Sequence, residues 1–167
     1  DIWVYELGRG TSLRLTFDVR NETLPVWSAD SQRLAFNQTQ KDATTAVYEI
    51  AAAGGTPRQV LPAGALAVTD WSRDGRVMLM RQGELFTSPG DIWAKPVDGE
   101  PRALLRTPFA EFHARFSPDT RWVSYVSNES GVFEVYVRPF PGPGGKWQIS
   151  TGSGASPRWS KARPELL

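Results

Sequence analysis

The chain has 167 residues, 40% of them hydrophobic, enough to build a domain with a real core and too apolar for a disordered segment. Its 19 basic side chains nearly balance 18 acidic ones and no basic cluster follows one segment, so the electrostatic footprint of a nucleic-acid-binding protein is missing. It has no cysteine, which excludes disulfide staples and cysteine-ligated zinc, and no apolar run approaches the roughly 18 residues that a spanning helix needs.

Taken in order, the chain opens on two short apolar runs, Ile2 to Tyr5 and Leu13 to Phe17. At Trp27-Ser28 a marker begins that returns as Trp71-Ser72, Phe116-Ser117 and Trp159-Ser160, with the serines 44, 45 and 43 residues apart. A second marker keeps the same step: Trp3, Tyr48, Trp93 and Tyr136 each sit in a short apolar run, 45, 45 and 43 residues apart. A period of roughly 40 to 45 residues made of strands is the length of one four-stranded propeller blade. In the best-preserved unit Val68 to Trp71 reads as a first strand, Val77 to Met80 as a second, Ile92 to Val97 as a third and Arg102 to Leu105 as a fourth. Short aromatic and β-branched runs punctuated by Gly, Pro, Asp and Ser favour strands over helix throughout.

The fold class expected is therefore all-β, a β-propeller segment with complete blades at about 24–61, 68–105 and 113–150 and half blades at 1–17 and 156–167. The opening half blade holds a third and a fourth strand, and the closing one a first strand and the start of a second. The chain thus reads as a segment of a larger protein, and Asp1 to Tyr5 do not read as a signal peptide. Leu34, Met78, Val123 and Leu166 fall at one repeat position and are expected to share an inward core site. Trp27, Trp71, Phe116 and Trp159 are expected to pack between neighbouring blades. The fourth repeat replaces the Asp-Gly turn by Lys161-Ala162-Arg163-Pro164, which predicts a frayed end.

The stretches Pro25-Val26-Trp27-Ser28-Ala29-Asp30, Trp71-Ser72-Arg73-Asp74-Gly75 and Phe116-Ser117-Pro118-Asp119, each followed by an apolar strand and then by Asp91-Ile92-Trp93 or its equivalents, resemble the TolB-type, WD-repeat-like β-propeller repeat over essentially the whole chain. The stretch Val135 to Ser150 is similar to the last blades of the propeller that many bacterial eukaryotic-like serine/threonine kinases carry C-terminally. The resemblance implies a binding or scaffolding module, a protein or peptide partner and a periplasmic or otherwise extracytoplasmic setting. Such propellers also cap prolyl-oligopeptidase-type hydrolases, which is the rival reading.

Catalytic constellations are not expected. Gly152-Ser153-Gly154-Ala155-Ser156 lacks the spacing of a nucleophile elbow, and Gly142-Pro143-Gly144-Gly145-Lys146 fails as a phosphate loop because Trp147 follows the lysine. The catalytic-loop and Asp-Phe-Gly elements of a kinase are missing, the single histidine, His113, reads as structural or loop-exposed, and Asp30, Asp74 and Asp119 read as turn formers rather than calcium ligands. Three glycosylation-like triplets at Asn21, Asn37 and Asn128 read as surface loops, and no cofactor is expected. Binding is assigned to loops joining fourth to first strands, at 18–23, 62–67, 106–112 and 151–155. The residues singled out there are Arg20, Glu22, Arg106, Phe109, Glu111 and Phe112, the two phenylalanines serving either as docking anchors or as plugs between blades. Asp70 and Arg115 occupy equivalent first-strand positions and are expected to meet across a blade boundary.

Overall fold

A computed structural model of the protein describes residues 1–64, 66–83, 90–160, 163 and 165–167. Among the described residues all regular structure is strand, and no helix is long and apolar enough to cross a membrane. The chain packs as two compact units, Asp1–Val68 and Thr69–Leu167. In the first, β1 (Trp3–Glu6) pairs antiparallel with β2 (Thr11–Arg14), and β3 (Glu22–Trp27), β4 (Arg33–Thr39), β5 (Thr45–Ala51) and β6 (Arg58–Gly64) form a four-stranded meander. The division between units falls inside β7 (Leu66–Trp71), which continues into β8 (Val77–Gln82), β9 (Ile92–Pro96) and β10 (Arg102–Leu105). A second meander in that unit runs through β11 (Glu111–Phe116), β12 (Trp122–Ser127), β13 (Glu134–Pro139) and β14 (Trp147–Gln148). The all-β expectation is met, with four-stranded antiparallel sheets in strand order.

Side chains on a strand alternate between faces, so each sheet offers one apolar face to the sheet before it and another to the sheet after it. In the first unit Ile2 and Leu15 of the opening half blade close on Leu34, Phe36 and Ile50. In the second, Leu79 and Ile92 close on Phe116, Val123, Tyr125 and Tyr136. The third-strand marker stacks on its second-strand neighbour in both: Phe36 with Tyr48 at 5.9 Å and Tyr125 with Tyr136 at 5.7 Å between ring centroids. Burying one such ring contributes on the order of 2–3 kcal/mol. The second-to-third-strand register is the same in all three complete sheets, with Leu34 opposite Ile50, Met78 opposite Lys95 and Val123 opposite Arg138.

The repeat serine and aspartate build the turn between first and second strands, three times over with the same bonds. The serine hydroxyl donates to the aspartate at 2.6 Å in each case, Ser28 to Asp30, Ser72 to Asp74 and Ser117 to Asp119. The same oxygen accepts the backbone N–H that opens the second strand, from Arg33, Val77 and Trp122 at 2.9, 2.9 and 3.0 Å. The aspartate takes a further backbone N–H from Gln32, Arg76 or Arg121, and these bonds hold all three carboxyls below the usual carboxylate range. The residue after the aspartate enters the left-handed region, and only the middle repeat uses glycine there: Ser31, Gly75 and Thr120 have φ of 58°, 72° and 59°.

Three expectations need correction. Leu34, Met78 and Val123 are buried, but Leu166 is only half-buried, because Trp159 is its single strand partner. Trp27 is 45% exposed where Trp71 and Phe116 are buried. The reason lies in Trp159, whose indole N–H donates to the carbonyl of Arg115 on the first strand of the sheet before it. The sheet before Trp27 is β1–β2, which has no first strand to offer. The presumed loop at 62–67 is strand at both ends, since β6 reaches Gly64 and β7 starts at Leu66. Of the fourth-repeat turn, Lys161, Ala162 and Pro164 lie outside the described residues.

Ser72 is fully buried, and Ser72→Ala leaves the N–H of Val77 and the carboxylate of Asp74 without their hydroxyl partner. The expected loss is about 1–3 kcal/mol, seen as a lowered midpoint in urea with an unchanged slope.

Candidate functional site

The first strand of each repeat carries a bulge that aims its polar groups. Register shifts between Thr23 and Val26 in β3 and between Phe112 and Arg115 in β11. The residues at the break, Leu24 and His113, have φ of 51° and 53°, and Ser156, their counterpart in the closing half blade, has 55°. Left-handed conformations are uncommon for such side chains and persist only where the surroundings hold them.

In the second unit this geometry stitches neighbouring first strands together. The backbone N–H of Phe116 donates to Asp70 Oδ2 at 2.7 Å, and His113 Nδ1 lies 3.4 Å from the hydroxyl of Ser156. Asp70, Arg115 and Arg158 stand at one repeat position of three successive first strands. The expected contact between Asp70 and Arg115 is made differently from a salt bridge: Asp70 bonds the backbone beyond Arg115, and the guanidinium acts on it through its charge. Burial raises the Asp70 carboxyl above its ordinary value, opposed by the Phe116 N–H and then by Arg115 and Arg158. Burial also lowers Arg115, opposed by Asp70 and reinforced by Arg158, and it lowers His113, with Arg115, Arg158 and Arg81 adding to the effect. Two guanidiniums against one half-buried carboxylate leave an excess of positive charge, and exposed Arg158 presents a planar fork suited to a carboxylate or another planar anion.

The loop residues divide. In the first unit Arg20 is engaged, donating to both oxygens of Asp18 and, at 2.8 Å, to Gln40 Oε1; these bonds hold Asp18 well below the usual carboxylate range. Glu22 is buried at the start of β3, where it accepts the Thr16 hydroxyl and the Gln38 amide, so it is not a docking group. In the second unit Arg106 is largely exposed, with its Nε 3.6 Å from Asp91, and Phe109 is 37% exposed. Glu111 is fully buried, accepting the Thr107 hydroxyl on one oxygen while Oε2 has no hydrogen-bond partner. Phe112 is 3% exposed and packs edge-on against His113 and Phe133 at about 5 Å, which settles it as core.

The physical reason for these corrections is that each sheet begins earlier than its turn residues imply. Thr39 N–H bonds the carbonyl of Asn21, and Glu111 N–H bonds that of Gly90, drawing Glu22 and Glu111 inside. Both glutamates sit at the same repeat position and both take a threonine hydroxyl. Of the residues singled out from sequence, Arg106, Phe109, Asp70 and Arg115 are thus gathered in one unit, together with Arg158. The His113–Ser156 contact had no sequence signal, since neither glycine nor asparagine marks the bulge. The Gly142–Lys146 stretch is the β13–β14 loop, with Lys146 bonded to Glu129 and lying 5.7 Å over the Tyr136 ring. No group of three or more metal-ligating side chains occurs among the described residues.

No family model matches this chain. It is 32% identical over 82 residues to the uncharacterized peptidase YuxL of Bacillus subtilis strain 168, a match covering 48% of this chain and 12% of YuxL. Its structure superposes on TolB from Acinetobacter baumannii with a TM-score of 0.77 at 16% identity, covering 90% of this chain and 37% of TolB. The propeller domain of the Trilobed protease from Pyrococcus furiosus gives a TM-score of 0.63 at 12% identity, covering 84% of this chain and 45% of that one. The fold is that of TolB-type β-propellers, and the chain spans less than half the length of each of these three proteins.

Burial, followed by the charges of Asp91 and Glu129, pushes the Glu111 carboxyl up to about 7, with the Thr107 hydroxyl and Lys146 opposing; Arg81 on β8 also bears on this group, donating to its backbone carbonyl at 3.2 Å. A carboxyl whose folded value is raised favours the folded state while it is protonated. Stability from this group is therefore complete below its ordinary value of 4.5 and is lost as pH rises through about 7. Urea midpoints measured between those limits should fall for the natural chain, and Glu111→Gln should flatten the dependence.

Proposed function

We propose that this chain is a non-catalytic recognition module, the propeller portion of a larger bacterial envelope or kinase protein, and that it holds a protein or peptide partner through the first strands and adjoining loop of its second unit. The observation that carries this reading is the row of Asp70, Arg115 and Arg158 on stitched first strands, with the exposed Arg106 and Phe109 on the loop that leads into β11. A rigid strand frame with guanidiniums and an exposed ring is the composition of a protein-binding patch, and the excess positive charge favours a partner segment carrying carboxylates. The likeness to TolB supports an extracytoplasmic setting.

Panning a displayed peptide library against the chain tests the reading. Enriched peptides should bind saturably and carry acidic side chains or a free C-terminal carboxylate. Arg158→Glu and Phe109→Ser, both at exposed positions, should each weaken binding by about tenfold or more with unchanged melting. Absence of saturable binding, or affinity indifferent to both substitutions, overturns the assignment.

The identity to YuxL favours a second reading, the propeller cap of a serine peptidase. It requires an α/β-hydrolase domain with a Gly-x-Ser-x-Gly elbow in the same polypeptide. Both readings expect the chain alone to turn over neither ATP nor peptide esters; activity that survives rigorous purification would remove them together.

A further inference from the structure

We propose that residues 156–167 of one chain and residues 1–17 of a second copy join into one four-stranded sheet, with Leu166 opposite Tyr5 across the new strand pair. The two segments are complementary in content. Trp159 and Leu166 pair as first and second strands, repeating the Trp27–Leu34 and Phe116–Val123 pairs, while β1 and β2 pair as third and fourth strands. The edge of β1 that would face a second strand has no partner in its own sheet. Such an edge is a template for strand addition.

The register follows from the complete sheets, where the residue six places after the repeat serine always faces the residue two places after the third-strand aromatic: Leu34 faces Ile50, Met78 faces Lys95 and Val123 faces Arg138. Carried to the segments at the two ends, that rule places Leu166 opposite Tyr5 and Glu165 opposite Glu6. The apolar faces are complementary as well. Trp3 and Tyr5 are 57% and 60% exposed, although their counterparts Tyr136 and Arg138 lie against the preceding sheet, Tyr136 in the core and Arg138 bonded to the Leu104 carbonyl. On the other side, Trp122, Val137, Trp147, Ile149, Trp159 and Leu166 line an open cavity of about 560 Å³. Ile149 is the counterpart of Leu104, so the joined sheet would set Tyr5 against it just as Arg138 is set against Leu104. The contact continues the sheet-on-sheet packing already present within each unit. It uses different surfaces on the two copies, so association grows with concentration.

The natural chain has no cysteine, which makes disulfide trapping clean. Directly opposed strand residues lie about 4.5–5.5 Å apart at Cα, within disulfide range. Tyr5→Cys chains mixed with Leu166→Cys chains and oxidised should yield linked pairs several-fold above Tyr5→Cys mixed with Ala53→Cys, the control at an exposed turn. Glu6→Cys with Glu165→Cys, both exposed, reads the same register without disturbing any buried residue. Sedimentation of the unaltered chain should show a mass above that of one 18.5 kDa chain, rising with concentration, and Ile149→Asp should lower it with an unchanged far-ultraviolet spectrum. A single-chain mass at every concentration, or trapping by both cysteine pairs no greater than control, overturns the proposal.

Discussion

The fold depends on one small hydrogen-bonded device, the serine hydroxyl that gives its proton to an aspartate two residues on and takes the N–H of the strand that follows. It is closed by backbone bonds in both directions between Ser72 and Val77, Ser28 and Arg33, and Ser117 and Trp122. Because the hydroxyl is buried and doubly engaged, the angle between first and second strands is set locally, before any contact between sheets. A fixed angle then fixes which residues of the second strand point inward. The aromatic residue before the serine completes the device by reaching the neighbouring first strand, as the Trp159 indole does at Arg115.

From that constraint follows the invariance of register. A slip of one residue in a strand pair moves every side chain to the other face. Holding the second strand at one end keeps Leu34, Met78 and Val123 inside in their three sheets. The first strand is freer at its far end, and there the bulge enters, at Leu24, His113 and Ser156. Binding chemistry gathers where the bulge re-aims the chain, on a strand anchored by its serine turn and stitched by Phe116 to Asp70. Rigidity comes from the repeat, and variation at the polar position comes from the residue each repeat places there.

The buried carboxylates show how far local sequence can mislead. Glu22 and Glu111 stand beside turn residues and carry charge, two properties that mark a loop. Each is drawn inside because a single backbone bond extends the sheet past the turn, and a threonine hydroxyl then satisfies one oxygen. Phe109 and Phe112, three residues apart in the same stretch, part company for the same reason: the first precedes the strand and stays half out, the second lies in it and joins Val126 and Val135.

What the sequence determined by itself was everything written in the repeat: strand rather than helix, the blade length, the order of strands, the turn serines and aspartates, and the core positions six residues beyond each serine. These are legible because they rest on bonds within a few residues of one another and recur often enough to be counted. The tertiary structure alone decided which polar groups are available. Whether Glu111 is solvated, whether Asp70 meets a guanidinium or a backbone N–H, and whether Trp27 is covered depend on what the neighbouring sheet presents, some 45 residues away along the chain. Residue type at one position carries no record of that neighbour, because burial and hydrogen bonding across sheets are properties of two distant segments brought together.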